Sequence, residues 1–203
     1  MKHEGWLERA ASYVGLELTG EQRAKLEVFG RWLGTEGATG GAIGPNEAAR
    51  IEQRHLADSL LFAFPWRQGP PPALMDVGSG VGLPGIPLAV AWPDCAVTLL
   101  DRSARRCTLA RRALRILELR NVEVRQGDLE SVESGGWHAA TARAVSGGWQ
   151  LVEEIRRVLT SEGLGVVGGS HTTPPVARSD IGVVEVPGEV LDHPVWLFII
   201  RSS

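Results

Sequence analysis

The chain has 203 residues, of which 43% are hydrophobic, and a formal net charge of −3 with an isoelectric point near 6.0. That is chain enough for one sizeable core with a small appendage, and the overall charge gives no global basis for binding nucleic acid. Apolar runs such as Val195 to Ile200 are far too short to cross a bilayer and the opening Met-Lys-His-Glu-Gly-Trp lacks a signal-peptide core, so a cytoplasmic protein with no membrane partner is expected.

Taken in order, Trp6 to Leu16 and Thr19 to Leu33 carry apolar residues at roughly helical spacing, with Thr19 as N-cap and Glu21 and Gln22 in the first turn. Gly34 to Pro45 holds five glycines and predicts a loop. Asn46 then caps a helix from Glu47 to about Phe64, which Pro65 and Gly69-Pro-Pro-Pro72 close. Residues 1–72 therefore read as an N-terminal helical cap. From residue 73 to 203 strand and helix patterns alternate. Strands are predicted at 73–78, 96–101, 122–126, 138–143, 163–168, 181–186 and 195–200, and the main helices at 84–92, 103–119 and 147–160. Alternation of this kind predicts an α/β fold, a seven-stranded and mostly parallel sheet flanked by helices. No clear helix separates the last two strands, so the sheet is expected to end in an antiparallel hairpin.

Two stretches carry chemistry. Leu74 to Pro87 reads as a buried strand, a glycine turn and a helix opening, with Gly78, Gly80 and Gly82 at alternate positions and Pro84 suited to a first helical turn. Asp101 ends the next strand about twenty residues on, where a carboxylate can accept from ribose hydroxyls. A dinucleotide fingerprint wants a third glycine where Leu83 stands, which argues against a nicotinamide enzyme. In open sheets the ligand lies beyond the C-terminal strand ends, which gathers Gly78, Asp101, Asp128 and Arg143 round one crevice. The second stretch runs from Arg102 to Arg125, with eight arginines against only Glu118 and Glu123. It is either an ordinary solvated helix face or a phosphate-binding stripe. Cys95 and Cys107 read as buried free thiols, and His3, His138, His171 and His193 form no ligand cluster, so no metal is expected.

Asp76-Val-Gly-Ser-Gly-Val-Gly-Leu-Pro-Gly-Ile-Pro87 closely resembles the first motif of the small-subunit ribosomal RNA guanine-N7 methyltransferases, the RsmG or GidB family. Arg54-His55-Leu-Ala-Asp58-Ser59-Leu60, Val97-Thr-Leu-Leu-Asp101, Asn121-Val-Glu-Val-Arg-Gln-Gly-Asp-Leu-Glu130, Arg143-Ala144 and His193 to Arg201 are similar to further family segments. The resemblance implies a class I, Rossmann-like methyltransferase with S-adenosylmethionine as cofactor and 16S ribosomal RNA, or the small subunit, as partner. It implies that Gly78, Gly80, Gly82 and Leu83 contact the cofactor, that Asp101 with Arg102 beside it holds the ribose, and that Asp128, Leu129 and Glu130 lie by the adenine. Arg143 matches an arginine at the cofactor and substrate edge, or else makes a buried salt bridge to Asp76 or Glu130. Arg54 and His55 either meet RNA or join cap to core with Asp58.

The chain departs from the family pattern in three places, one of them before the fourth strand, where Trp137-His138 stands in place of Phe-Asp. Arg31-Trp-Leu-Gly-Thr35 replaces the usual Trp-Asn…Asn-Leu-Thr stretch, and Val167-Gly168-Gly169-Ser170 stands where the fifth strand usually ends in Lys-Gly. A methyltransferase with another, small-molecule substrate and a non-catalytic cofactor- or RNA-binding relative therefore remain open. For guanine N7 no catalytic base is expected, since N7 carries an in-plane lone pair and the work falls to positioning. Trp66, Trp137 and Trp149 are candidates for stacking on the base or for the core.

Overall fold

The computed structural model describes residues 5–41, 43–44, 47–143, 148–168 and 179–202. Side chains that alternate between two apolar faces make its strands. In β1 (Ala73–Val77) Leu74 enters one apolar cluster while Met75 and Val77 enter a second, and in β2 (Ala96–Asp101) Leu99 and Leu100 divide in the same way. Strands buried on both faces need helices on both.

β3 (Val122–Gln126), β4 (Trp137–Ala142), β5 (Leu159–Gly168), β6 (Ile181–Val186) and β7 (Val195–Arg201) complete a sheet of order β3-β2-β1-β4-β5-β7-β6. The first five strands pair in parallel, while β7 runs antiparallel between β5 and β6. This is the expected architecture, hairpin included. β5 begins four residues earlier than its apolar pattern predicts. Residues 160–163 bulge where the register against β4 jumps from Trp137–Leu159 to Ala139–Leu164.

Helices α1 (Trp6–Tyr13) and α2 (Gly20–Trp32) form where the spacing predicts. Thr19 caps α2 reciprocally with Gln22: each side chain accepts the other's backbone N–H. The predicted glycine loop is different. Backbone beyond Trp32 continues through a wide turn at Leu33–Gly37 and stays helical to Thr39. Its glycines serve close packing: a Cβ on Gly34 would lie 3.0 Å from Ile51 Cδ1, and one on Gly30 3.1 Å from Leu56 Cδ1. Asn46, the expected cap, lies outside the described residues. The following helical run is not one regular helix; it passes through Ala48–Arg50, a wide turn at Glu52–Ala57, the single turn α3 (Asp58–Leu60) and a tight turn at Leu61–Trp66.

α4 (Gly85–Ala91) and α5 (Ala104–Leu117) cover one face of the sheet with the N-terminal helices, and α6 (Gly148–Val158) covers the other. A four-residue helix, α7 (Gly188–Leu191), stands between β6 and β7. It clasps the N-terminal helices. Arg9 donates to the Glu189 carbonyl at 2.9 Å and Gln53 to the Leu191 carbonyl at 2.7 Å. Among the described residues no helix is long and apolar enough to cross a membrane.

Candidate functional site

The glycine turn between β1 and α4 is held open by its own backbone. Gly78, Gly80 and Gly82 have φ of 63°, 61° and 103°, a region in which a Cβ is strained. Asp101, 4% exposed at the end of β2, fixes the turn: Oδ2 accepts the Gly80 N–H at 2.9 Å and Oδ1 accepts the Ser103 N–H at 2.8 Å. Ser79 adds a bond from its N–H to the Leu100 carbonyl at 3.1 Å. The turn is thus sewn to the end of the neighbouring strand, and a Cβ placed on Gly80 would meet nothing within 4 Å.

A cavity of about 460 Å³ lies beyond the ends of β1, β2 and β3. Gly78, Asp101, Arg102, Asp128, Leu129 and Glu130 line it. Gly80, Gly82 and Leu83 lie in the adjoining turn, outside the lining. Arg106, Gln150, Leu151 and Glu154 also line it, and sequence reasoning missed them. Gln150, Leu151 and Glu154 belong to α6, and no motif signals which face of that helix turns to the cavity. Arg157 on the same helix was also missed. Its guanidinium donates to the carbonyls of Leu129 and Val132 at 2.9 and 2.7 Å and so fixes the turn that carries Asp128 to Glu130. Asp101, Asp128, Glu130 and Glu154 make the lining acidic, with Arg102 and Arg106 among them. Such a set suits a ligand that combines cationic groups with hydroxyls.

Beneath the turn lies Asp76, fully buried in β1 opposite Leu99 and Thr141. Oδ2 accepts the Gly85 N–H at 2.7 Å and Oδ1 accepts the Thr141 hydroxyl at 3.1 Å. Burial pushes its carboxyl up from 3.8 to about 7, with those two hydrogen bonds and the charge of Arg143 pulling the other way.

Arg143 is not among the cavity-lining residues, and the salt bridge expected with Asp76 or Glu130 is made elsewhere. Its guanidinium donates to Asp58 Oδ2 at 2.9 Å and to the Arg54 carbonyl at 3.1 Å, and lies 3.3 Å from His55 Nδ1. The arginine just past β4 therefore grips the helical run that precedes β1. Burial, followed by the charge of Arg143, lowers the His55 pKa from 6.5 to about 4. The ring is neutral at pH 7, Nδ1 accepts from Arg143, and Glu47 stands 3.4 Å from Nε2 without a hydrogen bond. Ala144, the partner of Arg143 in its motif, lies outside the described residues, as do His3, His171, Gly169 and Ser170. Of the three candidate tryptophans, Trp66 packs edge-on to Trp92 at 6.0 Å, Trp137 packs against the second apolar cluster, and Trp149 is 45% exposed. Both cysteines are buried free thiols.

A seven-stranded sheet of this order, with a glycine turn after β1 and an acid closing β2 over one cavity, defines a Rossmann-like methyltransferase of class I. Its family is also evident. The model for GidB, rRNA small subunit methyltransferase G, matches residues 22–169, and the chain belongs to that family. It is 32% identical to the ribosomal RNA small subunit methyltransferase G of Corynebacterium efficiens, over 92% of this chain and 86% of that protein. With the protein of the same name from Corynebacterium diphtheriae it shares 33% identity, over 100% of this chain and 94% of the other. A solved SAM dependent methyltransferase from Aquifex aeolicus is similar at 16% identity and a TM-score of 0.48, over 63% of this chain and 80% of that one.

Proposed function

We propose that the protein methylates N7 of a guanine in 16S ribosomal RNA, within the small subunit or free of it, with S-adenosylmethionine as cofactor and the cytoplasm as its site of action. The observation that carries the cofactor is the turn–carboxylate arrangement: an open glycine turn, a buried Asp101 beside it and an acidic cavity beyond. S-adenosylmethionine supplies a methyl group already activated on a sulfonium. Its ribose diol fits Asp101, whose oxygens each keep a lone pair beyond those used by Gly80 and Ser103, and its adenine amino group offers a donor to the acids of the lining. Gly78, Gly80, Gly82 and Leu83 border the methionine end, Arg102 stands by the ribose, and Asp128, Leu129 and Glu130 flank the adenine. For the RNA, the support is membership of a family whose matched relatives carry that substrate in their names.

Guanine N7 needs no proton removed before it attacks, so the protein has only to bring it into line with the methyl group. Residues 1–72 form the cap in this scheme and 73–203 the methyltransferase domain, joined by Arg143 to Asp58 and His55. Arg54, with 32% of its side chain exposed beside that junction, is available to RNA.

The experiment is methyl transfer from labelled S-adenosylmethionine to small subunits that lack the family's modification, with cofactor affinity measured on the wild type and on Asp101→Ala. Label at a guanine N7 is the expected result. Asp101→Ala is expected to weaken cofactor binding by roughly 1–3 kcal/mol, the cost of unpaired groups in a buried polar site. Cofactor binding without transfer to RNA would move the enzyme to another substrate, and unchanged affinity would take Asp101 out of the site.

A further inference from the structure

Outside the stretch from 102 to 125, six of the described arginines are held in ion pairs, while Arg9, Arg50 and Arg67 bond to carbonyl or amide oxygens instead. Arg23, Arg31, Arg54, Arg143, Arg156 and Arg157 each pair with a carboxylate. Among the described residues, the stretch from Arg102 to Arg125 contains a single such contact, the 3.9 Å approach of Arg106 to Asp101. Its two acids form no ion pair with it: Glu123 accepts from the Thr98 hydroxyl at 2.8 Å, and Glu118 closes α5 in a left-handed conformation. Arg111 turns its side chain to the Val124 carbonyl at 3.0 Å, covering the free edge of β3.

The exposed face of α5 thus presents Arg105, Arg112 and Arg115 to solvent outside any ion pair among the described residues. The arrangement is unfavourable for an isolated helix. Arg111 and Arg115 are like charges four apart, and Arg105 and Arg106 stand in the first turn, at the positive end of the helix, where no acid is present. Fourteen residues make α5 roughly 20 Å long. At one end lies the cofactor cavity with Arg102 and Arg106 in its lining. At the other, between α5 and β3, is a groove of about 660 Å³ in which Arg111, Arg115 and Arg120, with Glu118 as the single acid, stand round Leu114, Leu119, Val122 and Val124. A cationic track that joins two concavities on a molecule of net charge −3 matches a long polyanion. It does not match a membrane, because Ile116 is the one large apolar side chain exposed on this helix.

We propose that the outer face of α5, continued by Arg120 and Arg125, is the docking track for the phosphate backbone of the RNA, and that the groove between α5 and β3 receives a nucleotide of the same strand. The track rests on the proposed RNA substrate, and it adds where the strand lies relative to the cavity. Phosphate contacts of this kind orient a nucleic acid and carry no sequence information, so the track would set position and the cavity would set the target.

The test is the triple variant Arg105→Glu/Arg112→Glu/Arg115→Glu, with the corresponding alanine triple in case the reversal fails to fold. Arg111 is left intact because it covers the β3 edge. A control reverses Arg31 and Arg201, which lie off the track. Binding of transcribed 16S RNA is measured against salt, together with S-adenosylmethionine affinity and methyl transfer to small subunits. The expected result is at least a tenfold loss of RNA affinity in the glutamate triple, a salt slope shallower by about 2 for three lost single-strand phosphate contacts, and unchanged cofactor affinity. Wild-type RNA affinity and slope in both triples, or an equal loss in the control, would overturn the track. Methyl transfer with an unaltered KM for RNA in the triples would overturn it while leaving the proposed reaction standing. RNA binding that depends on the track in a protein that transfers no methyl group would do the reverse.

Discussion

Two buried titratable residues work against each other. Asp76 holds its proton more tightly in the folded protein, so its contribution to stability is fully present below pH 4 and is lost as pH rises toward 7. His55 resists protonation in the folded protein, so its contribution is complete above 6.5 and is lost as pH falls toward 4. Between pH 4 and 6.5 the slopes oppose, each by up to about 1.4 kcal/mol per pH unit. Relative to the wild type, Asp76→Asn should gain stability as pH rises through that window. The amide keeps an oxygen for the Gly85 N–H and offers a donor to Thr141. His55→Asn should lose stability over the same range. Urea midpoints from pH 4 to 8 read both, and identical slopes in all three proteins would count against the two assignments. The sequence pointed to Asp101 because a glycine turn and an acid at the next strand end have a fixed relation in such sheets. It was silent on the neutral state of His55 and the partner of Arg143, which depend on how the helical run before β1 docks.

At the scale of elements, the glycine turn separates two kinds of glycine. A Cβ on Gly85 would stand 2.3 Å from Leu99 Cδ2 and 2.7 Å from Asp76 Oδ2, so Gly85→Ala is expected to destabilise the fold by about 1–3 kcal/mol through overpacking. Gly80→Ala meets no neighbour, and its positive φ costs about 1–2 kcal/mol, while the new methyl group points to open space. Its larger effect should be on cofactor affinity, read by calorimetry beside the melting curve; a Gly80→Ala protein with normal affinity would move the cofactor away from the turn. The central strands were legible as apolar runs that end at a turn, and β3, Val-Glu-Val-Arg-Gln, by its alternation instead. The stretch after Trp32 was not. Five glycines read as a loop, yet Gly30 and Gly34 let Ile51 and Leu56 come close enough to keep the backbone helical. α7 is only four residues long and leaves no periodic trace.

For the whole molecule, the contact of Arg143 with Asp58 is an ion pair between the N-terminal helices and the end of β4. Side-chain exposures of 17% and 8% make it a part-buried pair in which the Asp58 carboxylate is the more enclosed partner. Arg143→Met leaves the Asp58 carboxylate without its partner and should cost about 3–5 kcal/mol. Adding Asp58→Asn should recover much of that loss in denaturant unfolding; a double variant no better than the single would show that the pair is not what couples the two parts. The apolar contact between them was hard to foresee, since the cluster under the N-terminal helices draws residues from Leu7 to Leu197 and no local pattern announces a partnership of that span. The clasp of α1 on α7 also sets an order in time. Arg9 and the Glu189 carbonyl it holds are 180 residues apart. During synthesis α1 can meet the helical run at 48–66 early, but the rest of its seat does not exist until the last hairpin has been made. The stripe of Leu7, Ala10, Ala11 and Val14 therefore stays half covered through most of elongation, and that interval is when the nascent chain is open to aggregation or to capture by a chaperone.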